Sequence, residues 1–443
     1  MACRPPVGPR SAFPAIVATS LVLASFGLVG CSDSPPFEGG PACGVSIVTH
    51  TVSISLPRMV DLLLVVDDSA SMAGQQTTLR AAVLHALQAV EWSEDDALSL
   101  HLGVVRSDLG VGEVASLSGG CTSWGADGRM QRAQFGDDPA CDGFADAQPF
   151  LSSERGDNLA LILERLACRA NTGADGCGFE QPLEAALKAL TPSTSDLRFR
   201  RERNGAIESD SPGQGDRGNA GFLRPASELV IVFLTDEDDC SAADYDLYAD
   251  GDTDYPTVLT EPVPDPNAHC VAHANAQKPV ERYVDGFLAL RPNSPELLTV
   301  VVVAGISPDL LEANSFEEST NGVVSLRTDH AALLAESGMS AQPSDDPAFL
   351  LPACTRPDPA DPLNAAAGFP AYPARRLVQV VQGLEERGAN VQLGSICSPV
   401  DAEAADYTLN LRSVTAALSP AIAPDEGGPG FELPRPMLRD SSD

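Results

Sequence analysis

Val60-Asp61-Leu62-Leu63-Leu64-Val65-Val66-Asp67-Asp68-Ser69-Ala70-Ser71 is the stretch on which the reading of this chain turns. Residues 60–66 form a near-continuous apolar run, which suits a strand buried on both faces of a parallel sheet. Beyond it a carboxylate and two hydroxyls stand at alternate positions, Asp67, Ser69 and Ser71, where the strand ends and a helix over 78–90 is about to begin. In an open parallel sheet that place is the crevice outside the carboxyl ends of the strands, where ligands bind.

Outward from this stretch, strand-like runs at 98–105, 228–234, 297–304 and 389–396 alternate with helical patterns at 158–168, 180–190, 280–290, 375–387 and 411–418. Such alternation is the signature of an α/β fold. The run over 228–234 ends like the first, Val230-Ile231-Val232-Phe233-Leu234-Thr235-Asp236. If the two strands are neighbours, Asp67 and Asp236 face each other across the crevice. Two close carboxylates repel unless one is protonated or a cation lies between them. Oxygen donors with two hydroxyls among them favour Mg²⁺, or Mn²⁺ or Ca²⁺, over zinc. The plainer alternative is that Asp68, Ser69 or Ser71 caps the following helix.

With a second strand ending in Thr235-Asp236, the D-x-S-x-S pattern at Asp67, Ser69 and Ser71 resembles the metal-ion-dependent adhesion site of the von Willebrand factor type A domain, the fold of the integrin inserted domain. The order of elements resembles that family over residues 57–420. The resemblance implies a doubly wound, mainly parallel α/β sheet, with Ser69 and Ser71 ligating the metal directly and Asp67 and Asp236 acting directly or through water. One coordination position would stay open for an acidic group of a protein or extracellular polymer partner. The family's mid-chain Thr has no counterpart, because the chain reads Gly176-Cys177-Gly178-Phe179-Glu180-Gln181-Pro182 there. Glu180 supplies an oxygen in its place, Thr172 reaches in from the preceding loop, or water fills the position.

The 443 residues carry 28 Lys+Arg against 62 Asp+Glu, a net charge of −34 that repels phosphate and argues against nucleic acid or anionic lipid as partner. The 37 Gly and 36 Pro imply long irregular loops. These fall near 107–150, 192–226, 239–278 and 306–370, and read as insertions into one sheet, none with enough periodic apolar sequence for its own core.

At the N-terminus, Arg4 and Arg10 precede an apolar stretch to Gly30, the pattern of a secretory leader over 1–30 and not of a folded element. Leu28-Val29-Gly30-Cys31 resembles the lipobox of bacterial lipoproteins, which implies cleavage before Cys31, acylation of that residue, and a tether over 31–56. Ser32 after the cysteine resembles an outer-membrane address. A lipid anchor would be the only membrane contact, because no other run approaches the ~20 apolar residues of a span. Residues 421–443 read as a flexible tail.

Of 11 cysteines, those other than Cys3 and Cys31 suggest a disulfide framework in an oxidising compartment. Local separations suggest Cys121 with Cys141, Cys168 with Cys177, Cys240 with Cys270 and Cys354 with Cys397, leaving Cys43 over. His269, Cys270 and His273 have helix-compatible spacing for zinc, but Cys270 is a natural disulfide partner and no fourth ligand is evident. The acids from Asp236-Glu237-Asp238-Asp239 through Asp244, Asp246, Asp250, Asp252 and Asp254 read as a solvated loop, with a second calcium-type site as the sharper alternative. Arg198, Arg200, Arg201 and Arg203 form the one basic cluster in the linear sequence, read as an internally paired or solvated loop. No G-x-S-x-G elbow, Gly-rich phosphate loop or H-E-x-x-H helix occurs, so binding is expected rather than catalysis. The expectation is therefore an exported, lipid-anchored adhesion protein; the alternative is an envelope assembly protein with a vestigial metal site that interacts through its insertions.

Overall fold

The computed structural model describes residues 21–24, 49–52 and 58–397, the last span interrupted at 74–75, 89–97, 114–120, 122–123, 135–138, 145–147, 155, 250–253, 257–264, 321–322, 347 and 357–367. Cys31, Cys43, most of the expected leader and tether, the helix expected over 411–418 and the tail lie outside the described residues. The chain divides into two units, Met1–Pro57 and Arg58–Asp443. In the first, Leu21–Ala24 pairs antiparallel with Thr49–Val52, so four residues of the expected leader form one side of a ribbon that is marginal by itself. No helix among the described residues is long and apolar enough to cross a membrane.

The second unit is built on a six-stranded sheet. We number its strands β1 (Arg58–Val66), β2 (Leu98–Arg106), β3 (Leu151–Ser153), β4 (Glu228–Leu234), β5 (Leu298–Ala304) and β6 (Asn390–Ser395). Their spatial order is β6-β5-β4-β1-β2-β3, parallel throughout except for the antiparallel pair β2–β3. Central β1 is registered Val60↔Leu100 to one side and Val60↔Glu228 to the other.

The apolar run behaves as a strand covered on both faces. Val60, Leu62, Leu64 and Val66 pack with helices α1 (Gln76–Gln88) and α2 (Leu159–Arg169). Leu63 and Val65 face α3 (Pro182–Leu190), α4 (Val280–Ala289) and α5 (Arg375–Glu385). Each of these apolar residues of β1 is at most 2% exposed, worth roughly 1.5–3 kcal/mol per side chain removed from water. Helices therefore flank the mostly parallel sheet on both faces.

The ten regular elements expected in the described residues are present, with ends displaced by no more than two residues. The largest displacements have local causes. The third helix starts at Pro182 and not at 180, because proline is preorganised for the first helical position and Gln181 becomes the N-cap. Asn158 lies outside α2 as its N-cap, accepting Leu161 N–H at 3.2 Å. Strand β3 went unread because three residues leave almost no period to detect. The arginine cluster is one strand of a hairpin, Phe199–Arg203 with Ala206–Ser211. It is neutralised: Arg198 and Arg200 pair with Asp210, Arg203 with Asp246 and Glu208, and buried Arg201 lies over the Trp124 ring at 4.2 Å.

The insertions have a core after all, though no single one supplies it. Val111, Cys177, Phe179, Ala242, Tyr245, Leu247, Tyr248 and Ala276 are buried together, mostly from the 239–278 insertion, with Val111 from the 107–150 insertion and Cys177 and Phe179 from the loop before α3. Two disulfides, Cys121–Cys177 and Cys240–Cys270, staple this satellite core, while Cys141–Cys168 and Cys354–Cys397 fasten others to the main unit. The pairs at 240–270 and 354–397 are as expected; Cys121 with Cys141 and Cys168 with Cys177 are replaced by crossed partners. Chain separation misleads here, since Cys168 sits on the buried side of the last turn of α2 while Cys177 lies beyond that helix in the satellite core. Replacing Cys240 and Cys270 together by serine is expected to lower unfolding free energy by about 3–4 kcal/mol, the loop-closure value for a bridge of sequence separation 30, measured by urea denaturation.

Cys270 is thus committed to sulfur, and the zinc reading of His269, Cys270 and His273 fails with it. His269 is 3% exposed, its Nε2 2.9 Å from Leu247 O, and burial lowers its pKa from 6.5 to about 4. As pH falls, the unfolded chain takes up this proton first. His269 therefore contributes stability above pH 6.5 that is lost as pH falls toward 4. Comparing His269→Gln with the parent chain at pH 7 and pH 4.5 tests this: the parent's advantage should shrink at the lower pH, and a constant difference would contradict it.

Candidate functional site

Strand order reverses between β1 and β4, since the chain leaves β1 toward β2 and β3 but continues from β4 toward β5 and β6. At such a reversal the connections part and open a crevice at the carboxyl ends. Asp67 follows β1 there and Thr235-Asp236 follow β4. The ladder runs one residue past the strands, with Asp67 N–H donating to Leu234 O at 3.0 Å, Ser107 N–H to Val66 O at 3.1 Å, and Thr235 N–H to Val303 O at 3.2 Å.

The sequence 67–72 then turns on itself. Asp67 Oδ1 accepts Ser69 N–H at 2.8 Å, an Asx turn, and residues Ala70–Met72 make a single 3₁₀ turn. Ser69 caps that turn by position without a side-chain bond, and Asp68 accepts from Arg106 Nη1 at 2.9 Å, so neither side chain is used as a helix cap. The two serine hydroxyls meet at 2.7 Å, Ser71 Oγ donates to Asp236 Oδ1 at 3.0 Å, and Thr235 Oγ1 donates to Asp67 Oδ2 at 2.6 Å. The structure thus brings Asp67, Ser69, Ser71 and Asp236 into one hydrogen-bonded group.

Glu180 belongs to the same neighbourhood. The loop before α3 passes against the β1 end, with Gly176 N–H donating to Asp68 O at 2.8 Å; a Cβ at Gly176 would lie 2.5 Å from Asp68 Cγ, which requires glycine there. Cys240 N–H fixes the backbone at the other end by donating to Glu180 O at 2.7 Å. The Glu180 side chain is 1% exposed, and neither carboxylate oxygen accepts a hydrogen bond. Burial, then the charges of Asp67, Asp68 and Glu237, push its pKa well above the ordinary value, with only a weak opposing influence from the Ser107 hydroxyl. Thr172, the other residue considered for this role, is also buried, in the loop after α2.

The whole edge is short of positive charge. Burial foremost raises Asp67, raises Asp236 well above the usual carboxylate range with help from Asp67, and raises Asp68 to about 7 despite Arg106. Glu237 is 6% exposed and likewise raised well above, by burial and then by Asp67 and Asp236. Five carboxylates thus share the edge, with Arg106 beside Asp68 and Arg356 beside Asp236 as the guanidinium groups that ease them. Among the described residues, no group of three or more His, Cys, Asp or Glu side chains is arranged to hold a metal ion.

Among the described acids beyond Asp236, those at 238, 239 and 246 are built into the fold, whereas Asp254 is exposed as a solvated loop residue would be and Asp250 and Asp252 lie outside the described residues. Asp238 accepts Arg376 N–H at 2.9 Å at the start of α5, and Asp239, 1% exposed, accepts Leu183 N–H at 3.1 Å at the start of α3 and pairs with Arg376. Asp246, 3% exposed, pairs with Arg203. These acids anchor helix starts and the hairpin, so they are committed to structure, and the described ones form no second calcium-type site. Glu237, on the same carboxyl edge, is not singled out by the sequence, since its neighbours are set by the fold alone and the signal available, its adjacency to Asp236, is shared with the rest of the run.

No family model, curated protein or solved structure matches this chain.

Proposed function

We propose that residues 57–420 are a doubly wound type A domain of the von Willebrand factor class, and that its crevice binds Mg²⁺, Mn²⁺ or Ca²⁺ through Ser69, Ser71, Asp67 and Asp236, with Glu180 as an additional oxygen donor. The observation that carries this reading is Glu180, a fully buried carboxylate with no hydrogen bond, set among Asp67, Asp68 and Glu237. A buried anion without a partner is costly, and a cation relieves it together with the repulsion of its neighbours. The strand order, with the switch point between β1 and β4, and the meeting of the Ser69 and Ser71 hydroxyls support the same assignment.

In this reading the protein is exported, anchored by lipid at Cys31 to the outer membrane of the cell envelope, and non-catalytic. The bound ion engages an acidic group of a protein or extracellular polymer. Glu180 in place of the family's Thr adds negative charge, so the ion is held more firmly and attracts an acidic partner less strongly. Glu180→Thr is accordingly expected to weaken cation binding on the order of tenfold. Calorimetric titration of the ions into parent and variant measures it, and unchanged affinity would remove Glu180 from the ligand set.

The second reading, a vestigial site with interaction through the insertions, draws on the disulfide-stapled aromatic core beneath them. Partner binding that survives EDTA but is lost on reduction would favour it over the first.

A further inference from the structure

Two segments that are far apart in sequence, and carry no basic cluster in either, meet to form a basic pocket. Arg129, Met130, Arg132, Gln214, Arg217 and Gly218 line a cavity of about 600 Å³, with no carboxylate among them. We propose that this cavity is a binding site for a small organic molecule bearing a tetrahedral oxyanion, a phosphate or sulfate ester, independent of the metal reading above.

The pocket is built, because both loops are tied to the core and to each other. Asn219, fully buried, accepts Met130 N–H at 2.9 Å and donates to Gly128 O at 2.8 Å and Ala189 O at 3.0 Å. Gln131 N–H donates to Val104 O at 2.7 Å, and Gln214 N–H to Lys188 O at 2.8 Å. The Arg129 stem crosses Gly218, where a Cβ would lie 3.4 Å from Arg129 Cγ. The acids nearby already have partners: Asp127 takes Lys188 Nζ and Gln214 Nε2, and Asp216 takes Ser193 N–H at 2.6 Å and Oγ at 2.8 Å. Neither Arg129 nor Arg217 stands in an ion pair among the described residues, whereas the 198–203 arginines are bound to Asp210, Asp246 and Glu208.

In a chain of net charge −34, three guanidinium groups border one cavity, with the Asp216 carboxylate acting on Arg217 from beside it. Planar forks match the oxygens of phosphate and sulfate in pairs. The volume falls within the roughly 300–1,000 Å³ range of small-molecule sites and exceeds what a bare oxyanion fills.

The test titrates glucose 6-phosphate, glucose 6-sulfate, inorganic phosphate and glucose into the full chain in EDTA. Saturable binding of either ester, with none for glucose, is expected, and the preferred ester identifies the source of the oxyanion. Binding should weaken at least tenfold in an Arg129→Gln, Arg217→Gln double variant and stay unchanged in Arg200→Gln. Absence of saturable ester binding, equal binding by the double variant, or equal loss in Arg200→Gln overturns the site. Inorganic phosphate binding as tightly as both esters would overturn the organic-ligand assignment.

Discussion

Asp67→Ala is expected to abolish divalent-cation binding while leaving the fold intact and the cation-free protein at least as stable as the parent. Asp67 is 1% exposed, and burial raises its pKa against the hydrogen bonds from Thr235 and Ser69. Its charge in turn raises Asp68, Asp236, Glu180 and Glu237. Without a cation, removing it relieves repulsion; with one, removing it deletes a central donor. Outer-shell partners of metal sites alone contribute 10- to 100-fold to affinity, so losing an inner donor should weaken Mg²⁺, Mn²⁺ or Ca²⁺ binding by on the order of 100-fold or more. Calorimetry with parent and variant, beside thermal unfolding in EDTA, checks both halves. Parent protein that binds no ion, or a variant that binds as well as the parent, would defeat the metal assignment. A variant that loses stability in EDTA would show that Asp67 is held by structural bonds instead.

Asp61→Ala, six residues earlier and within β1, is expected to do the opposite and destabilise the domain severely. Asp61 is fully buried near the amino end of β1, where its carboxylate accepts Arg224 N–H and Nε–H, each at 2.7 Å, and the Ser227 hydroxyl. Arg224 goes on to Val60 O at 3.0 Å and Ser99 O at 3.1 Å, tying β1 to β2, while Arg291 Nη2 donates to Ser227 Oγ at 2.9 Å. Removing Asp61 leaves the largely buried Arg224 guanidinium and the buried Arg291 without the carboxylate that balances them. Breaking a buried pair from one side costs about 3–5 kcal/mol, or roughly 4–7 °C in melting temperature for a domain of this size. Urea denaturation of Asp61→Ala beside Asp61→Leu/Arg224→Met tests the cause: the double variant should recover much of the loss. A single variant within about 1 kcal/mol of the parent would show that the clamp is dispensable.

These two aspartates also mark what a sequence reading sees. Asp61 sits inside an apolar run and was absorbed into the strand; nothing in the local pattern announces Arg224 or Ser227, which lie 163 and 166 residues away. Asp67 stood out because the strand ends there and hydroxyls follow at alternate positions, and both facts are local. Likewise the Arg198–Arg203 run was conspicuous in sequence and is neutralised in the fold, whereas Arg129 and Arg217, inconspicuous in sequence, share a pocket.

By itself the sequence determined the alternation of strand and helix, the identity of the doubly buried strands and the two carboxylate-bearing strand ends. These depend on periodicity and on residue type within a few positions, which the polymer geometry of strands and helices converts directly into faces. Tertiary structure alone decided which strands are neighbours, and so that Ser71 meets Asp236; which cysteines cross, at Cys121–Cys177 and Cys141–Cys168; and how segments without a core of their own pool one. It also decided that Asp238 and Asp239 are bonded at helix starts rather than left to water, since Leu183, Arg376 and Leu377 offer N–H donors only once α3 and α5 are docked. Those outcomes rest on contacts between residues distant in the chain, where burial and electrostatics act through space and sequence separation carries little information.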